Sequence, residues 1–116
     1  MSALPRDAML LRIHLGEQEK AGHRPLYENI VMKARELHIA GATVLRGLMG
    51  FGHSGQIHSA KILRLSEDLP LVVELIDAED KLMGFLDAVG DMLASTLITL
   101  EKVQVLQYGP HKNGAA

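Results

Sequence analysis

Residues 41–70 read GATVLRGLMGFGHSGQIHSAKILRLSEDLP, and the fold turns on whether this run is a strand that opens into a long polar loop. Thr43, Val44, Leu45, Leu48, Met49 and Phe51 supply the β-branched and apolar side chains that suit a pleated, partly buried segment. Gly50, Gly52 and Gly55 then interrupt it. Glycines at this density permit positive φ and close approach to the backbone, while His53, Ser54, Gln56 and His58 add donors and acceptors. Such a segment is an ordinary turn or a ligand loop. GFGHSG fits the GxGxxG spacing of a dinucleotide fingerprint, but that motif opens a helix at its third glycine, and QIHSAKILRL reads as extended. The Lys-Ser/Thr of a phosphate-binding P-loop is missing as well.

Working toward the N-terminus, a strand is expected from about Met9, with Leu11, Ile13 and Leu15 on one face and Leu10, Arg12 and His14 on the other, ending at Gly16. Met1 to Ala8 reads as a frayed lead-in. A polar connection, Glu17 to Arg24, precedes Pro25, which suits a first helical turn because its missing N–H would have had no partner there. Leu26, Ile30, Ala34 and Leu37 recur at helical spacing up to about Ala40, and Gly41 stands where a left-handed cap would close the helix. The second strand then covers about Ala42 to Phe51.

Working toward the C-terminus, Ser59 to Leu65 reads as a strand extension and Ser66 to Asp68 as a turn before Pro70. Leu71 to Ile76 is an apolar strand broken only by Glu74. Asp77 is placed to cap a helix whose stripe is Leu82, Phe85, Leu86, Val89, Met92 and Leu93, with Glu79 and Asp80 in its first turn. A last strand runs from about Thr96 to Leu106. Its apolar phase changes near Glu101 and Lys102, which predicts either a bulge or a passage from one buried environment to another. Gly109 to Ala116 reads as a disordered tail.

The order βαββαβ predicts an α+β, ferredoxin-like domain: a four-stranded antiparallel sheet with two helices on one face. Residues 1–116 form one domain in this reading, with a core of about 9–108 and a loop of about 52–70. Val72 and Ile76 oppose Val73 and Leu75, and Leu10 opposes Leu11, so both sheet faces are partly apolar. A homo-oligomer is the simplest cover for the second face.

Composition narrows the function classes. The chain has 116 residues, 47% of them apolar, 22% charged, with net charge −2. That balance, without a run of Lys and Arg, gives no electrostatic case for nucleic acid. Cysteine is absent and aromatics are only 3%, which removes disulfides, thiolate chemistry and a base-stacking platform. No stretch reaches membrane-spanning length, and MSALPRDAML lacks a secretory apolar core, so a cytoplasmic protein is expected.

Among candidate residues, Arg46 stands in an apolar strand and calls for an anionic partner, either a ligand phosphate or a carboxylate such as Glu74 or Glu101. Lys102 carries the same two readings. Lys61 and Arg64 belong to the polar face of the loop. His53 and His58 share that loop and His111 follows in the tail, but there is no His-x-x-x-His, so local hydrogen bonding is weighed above metal ligation. Ser54 beside His53 has no acid to complete a triad, and Ser66-Glu67-Asp68 reads as a turn, so no catalytic residue is nominated.

RGLMGFG, IHSAKILRLSEDLP and LITLEKV resemble the uncharacterised PII-like family known as domain of unknown function 190, over nearly the whole span from Met9 to Tyr108. More distantly, TVLRGLMGFG is similar to the strand that precedes the mobile loop of PII nitrogen-signalling proteins. The resemblance implies a ferredoxin-like subunit assembled as a homotrimer, with small-molecule sites in the clefts between subunits, adenine nucleotides being the ligands of the PII proteins. Gly50, Phe51 and Gly52 would match the GFG at the loop base. The PII glycine-rich segment before the last strand has no counterpart in ASTLITLEKVQVLQYG, so phosphate contacts would fall to backbone amides, Arg46 and Lys102.

The expectation is therefore a non-enzymatic regulatory trimer binding a small effector at a cleft built from Arg46, Gly50, Phe51, Gly52 and Lys102. Its loop, with His53, Ser54, Gly55, His58 and Lys61, would meet a partner, which by family analogy is a membrane transporter or channel. Two alternatives stand beside it: a metal-binding trimer resembling the divalent-cation-tolerance proteins, using His53 and His58, and a small ferredoxin-like enzyme.

Overall fold

The computed structural model describes residues 4–59 and 68–110. Its long strands are β1 (Asp7–Gly16), β2 (Gly41–Arg46), β3 (Pro70–Asp77) and β4 (Leu97–Gln104), with helices α1 (Leu26–Glu36) and α2 (Glu79–Val89). The strands form one antiparallel sheet in the order β2-β3-β1-β4, so the two central strands are β3 and β1. This is the expected ferredoxin-like arrangement.

Alternation along β1 and β3 sends Leu11, Ile13, Leu15, Leu71, Val73 and Leu75 to the helix side, where they pack with Leu26, Ile30 and Ala34 of α1 and Leu82, Phe85 and Val89 of α2. Phe85, Leu11, Ile13, Ile30, Leu75, Leu82 and Val73 are wholly buried, each contributing about 1.5–3 kcal/mol through apolar burial.

Four local expectations are corrected. Helix α1 stops at Glu36, and the left-handed residue is His38 (φ 61°), not Gly41. The N–H of Ile39 donates to the Ala34 carbonyl and that of His38 to the Arg35 carbonyl, which is a Schellman closure achieved without glycine. Gly41 instead opens β2 against Ile76. Asp77 does not cap α2; Ala78 holds that position, without a side-chain cap. Asp77 is 5% exposed, and its carboxylate accepts hydrogen bonds from the N–H of Ala40 (2.9 Å) and of Ala78 (2.7 Å). It therefore joins the start of β2 to the start of α2.

The lead-in is not frayed from Leu4 onward. Leu4 and Ala8 are buried with Val105, against Ala40, Ile76, Val103 and Tyr108, on the sheet face opposite the helices. The Val105 N–H donates to the Arg6 carbonyl, and the Tyr108 hydroxyl to the Ala40 carbonyl. This explains the phase change in β4. Its register against β1 runs unbroken from His14–Leu97 to Asp7–Gln104, so there is no bulge; the apolar positions change from the helix-side face, at Ile98 and Leu100, to the opposite face, where Val103 meets this second cluster.

Finally, β2 ends at Arg46 rather than Phe51. The N–H of Gly47 turns to the Pro70 carbonyl at 2.7 Å, and a Cβ on Gly47 would meet the Pro70 ring at 2.9 Å. Glycine is required there by close approach. The chain then forms a small ribbon in which Met49 and Gly50 pair with Ser59 and His58. The proposed strand extension beyond Ser59, the turn at Ser66 and Glu67, and the tail from His111 lie outside the described residues.

Candidate functional site

The loop is fastened at its base by main-chain hydrogen bonds and by charge. On its N-terminal side Gly47 is tied to Pro70; on its C-terminal side the Glu17 N–H donates to the Leu69 carbonyl (2.8 Å) and the Gln18 N–H to an Asp68 carboxylate oxygen (2.7 Å). Gly16 lets this happen. A Cβ there would lie 2.7 Å from both Asp68 carboxylate oxygens.

Arg46 stands at this base, the last residue of β2, and its side chain is 61% exposed rather than buried in the strand. Its guanidinium donates through Nε (3.3 Å) and Nη2 (2.8 Å) to the Glu17 carboxylate. Neither Glu74 nor Glu101 is its partner. Those two carboxylates instead hold Arg12, at 2.9 and 2.6 Å, in the middle of the sheet face turned away from the helices. The Glu74 hydrogen bond is the main influence raising the Arg12 pKa above its ordinary value; desolvation opposes it and Glu101 assists.

Beside Glu17, Glu19 carries a carboxylate oxygen that is buried without a hydrogen-bond partner. Burial pushes this carboxyl above its ordinary range and the Asp68 charge adds to the effect, while a hydrogen bond from the Gly16 backbone and the charge of His53 act the other way. The loop base thus carries three carboxylates, Glu17, Glu19 and Asp68, of which Glu17 pairs with the exposed Arg46.

Above this base the GFG segment is open. Phe51 is 72% and Leu48 79% exposed, with Met49 and Ile57 exposed beside them. Gly52 has free space around it, and Gly55 (φ 74°) closes a tight turn by donating its N–H to the Gly52 carbonyl. His53 and Ser54 are exposed on that turn, and His58 is half-buried in the ribbon. Among the described residues no group of three or more His, Cys, Asp or Glu is arranged to hold a metal ion. Lys61 lies outside the described residues.

Lys102 does not join Arg46 within one chain. It faces Met9 and, through it, Asp77, whereas Arg46 faces Leu71. The two basic residues stand on opposite sheet edges, three strand spacings or about 14 Å apart across the sheet and six residues or about 20 Å along it.

The face away from the helices and the β4 edge are incompletely covered. Leu45 and Leu97 are exposed on that face, and Ile98 and Leu100 are exposed where α2 does not reach the edge strand. Among the described residues, no helix is long and apolar enough to cross a membrane.

Sequence reasoning missed Glu17, Glu19 and Arg12. Strand register is the signal that finds the first: Arg46 sits opposite Leu71 and Leu71 opposite Leu15, which places the residues just past β1 at the end of β2.

Residues 8–105 match the model of the DUF190 family, described as uncharacterized ACR. A UPF0166 protein from Aquifex aeolicus (strain VF5) is 39% identical over 97 residues, 84% of this chain and 91% of the relative. Among solved structures, CPII from Thiomonas intermedia K12, a nitrogen regulatory PII-like protein bound to ADP, AMP and bicarbonate, aligns with a TM-score of 0.65 at 17% identity, covering 85% of this chain and 88% of that one. The apo form of CPII aligns with a TM-score of 0.56 at 14% identity, covering 85% and 91%.

Proposed function

We propose, because the chain belongs to the DUF190 family and carries a PII-like fold, that it is a non-enzymatic regulatory protein binding an adenine nucleotide between the subunits of a homotrimer. The observation that carries this reading is the fold shared, over 85% of the chain, with a PII-like protein bound to ADP and AMP. The uncovered sheet face and β4 edge support assembly. Because Arg46 and Lys102 stand on opposite sheet edges, a cleft using both needs two copies of the chain.

In this reading Gly50, Phe51 and Gly52 offer open backbone and an exposed ring to the nucleotide, and Arg46 takes its phosphates. A nucleotide seated at the loop base changes the preferred arrangement of His53, Ser54, Gly55, His58 and Lys61. The partner surface then follows the effector. By family analogy the partner is a membrane transporter or channel.

Calorimetric titration with AMP, ADP, ATP and cyclic nucleotides, with and without magnesium, tests this. Saturable binding by at least one, weakened by Arg46→Ala, is expected. An absence of binding across the panel refutes the nucleotide reading, and light scattering that shows a monomer at micromolar concentration refutes the trimer.

A further inference from the structure

The guanidinium that the nucleotide reading assigns to phosphate is held by a carboxylate of the same chain. Glu17 meets Arg46 at 2.8 Å through both of its oxygens, and its side chain is only 21% exposed. The Nε–Nη2 edge of Arg46, which Glu17 occupies, can take a phosphate bidentately only by giving up that carboxylate, since each N–H serves one acceptor well at a time. Glu17 is also attached to the far side of the loop. Its own N–H bonds the Leu69 carbonyl, and the next N–H, of Gln18, bonds Asp68. The ion pair therefore bridges the strand entering the loop and the turn that holds the residues leaving it.

We infer that Glu17 competes with the ligand's phosphate for Arg46, so that the Arg46–Glu17 pair is a latch opened by an anionic effector. This deepens, and rests on, the nucleotide reading above. Occupancy of Arg46 releases Glu17, and through the turn at Glu17 and Gln18 it alters the hold on Asp68 and Leu69. Because coupling is reciprocal, whatever locks that side of the loop in its empty arrangement lowers affinity for the nucleotide. Glu19 and Asp68, also negative, keep the base unattractive to weak anions. Glu17 is a positioning residue in this scheme and does not itself touch the ligand.

The test is a double-mutant cycle read by calorimetric ADP affinity in wild type, Glu17→Gln, Arg46→Ala and the double variant, with Glu36→Gln on α1 as a remote control and circular dichroism to establish folding. Glu17→Gln should tighten ADP binding about fivefold, the range expected for releasing a partly exposed ion pair, and should have no effect once Arg46 is alanine. If wild type binds ADP and Glu17→Gln binds it equally or more weakly, the latch is refuted while the nucleotide reading stands. Equal tightening in both backgrounds also refutes it, because the effect would then be a diffuse charge change. If no variant binds ADP, the nucleotide reading fails and the latch falls with it.

Discussion

Replacing Glu19 by Gln should stabilise the protein at neutral pH and do nothing for it in acid. The carboxylate has one oxygen buried without a partner, lies close to the negative Asp68, and shares its turn with Glu17, which is committed to Arg46. A buried polar group left unsatisfied costs about 1–3 kcal/mol, and the amide of Gln removes the charge while offering Asp68 a donor, so a gain of about 1 kcal/mol is expected. The pH dependence has a definite sign. The folded pKa is raised, so between the unfolded value and the raised one the folded chain binds more protons, and stability falls as pH climbs through that window. The cost is complete above the window and absent below it. Urea unfolding of wild type and Glu19→Gln at fixed protomer concentration, across pH 3.5–8, should show the two midpoints converging in acid and separating toward neutrality. A variant less stable than wild type at pH 7, or a gain of equal size at every pH, would refute the reasoning.

Asp77→Ala strips the acceptor from the N–H groups of Ala40 and Ala78 and should cost about 3 kcal/mol in urea unfolding, with Asp77→Asn losing roughly half as much; a loss below about 1 kcal/mol would contradict the joint assigned to it. Gly47→Ala forces a methyl group against Pro70 and should destabilise by about 1–3 kcal/mol, whereas Gly52→Ala, with nothing around it, should leave the unfolding midpoint unchanged. Arg12→Ala leaves Glu74 and Glu101 without their shared cation on the uncovered face, so sedimentation velocity should show the assembly shifted toward monomer.

The order of long elements was legible because strand alternation in β1 and β3 and the stripe of α2 are strong periodic signals, and the topology followed from them. The element ends were less legible because they depend on tertiary partners. Asp77 has the residue type and position of a cap, but its carboxylate also accepts from the N–H of Ala40, which reaches it across the fold. His38, not Gly41, takes the left-handed position, since the closing bonds are set by the Ala34 and Arg35 carbonyls. At the loop base, Arg46 was singled out by its charge in an apolar strand, yet its partner is 29 positions away, and only the register of three strands brings Glu17 to it. The carboxylates expected for Arg46 belong to Arg12, which shares their face of the sheet.

The most direct test of the central claim is a crystal structure of the protein grown with ADP. The account predicts a trimer with ADP in each cleft between subunits, its phosphates on Arg46 and the Arg46–Glu17 contact opened. ADP bound wholly within one subunit away from the loop base, or a trimer whose clefts hold no nucleotide at saturating ADP, would contradict it.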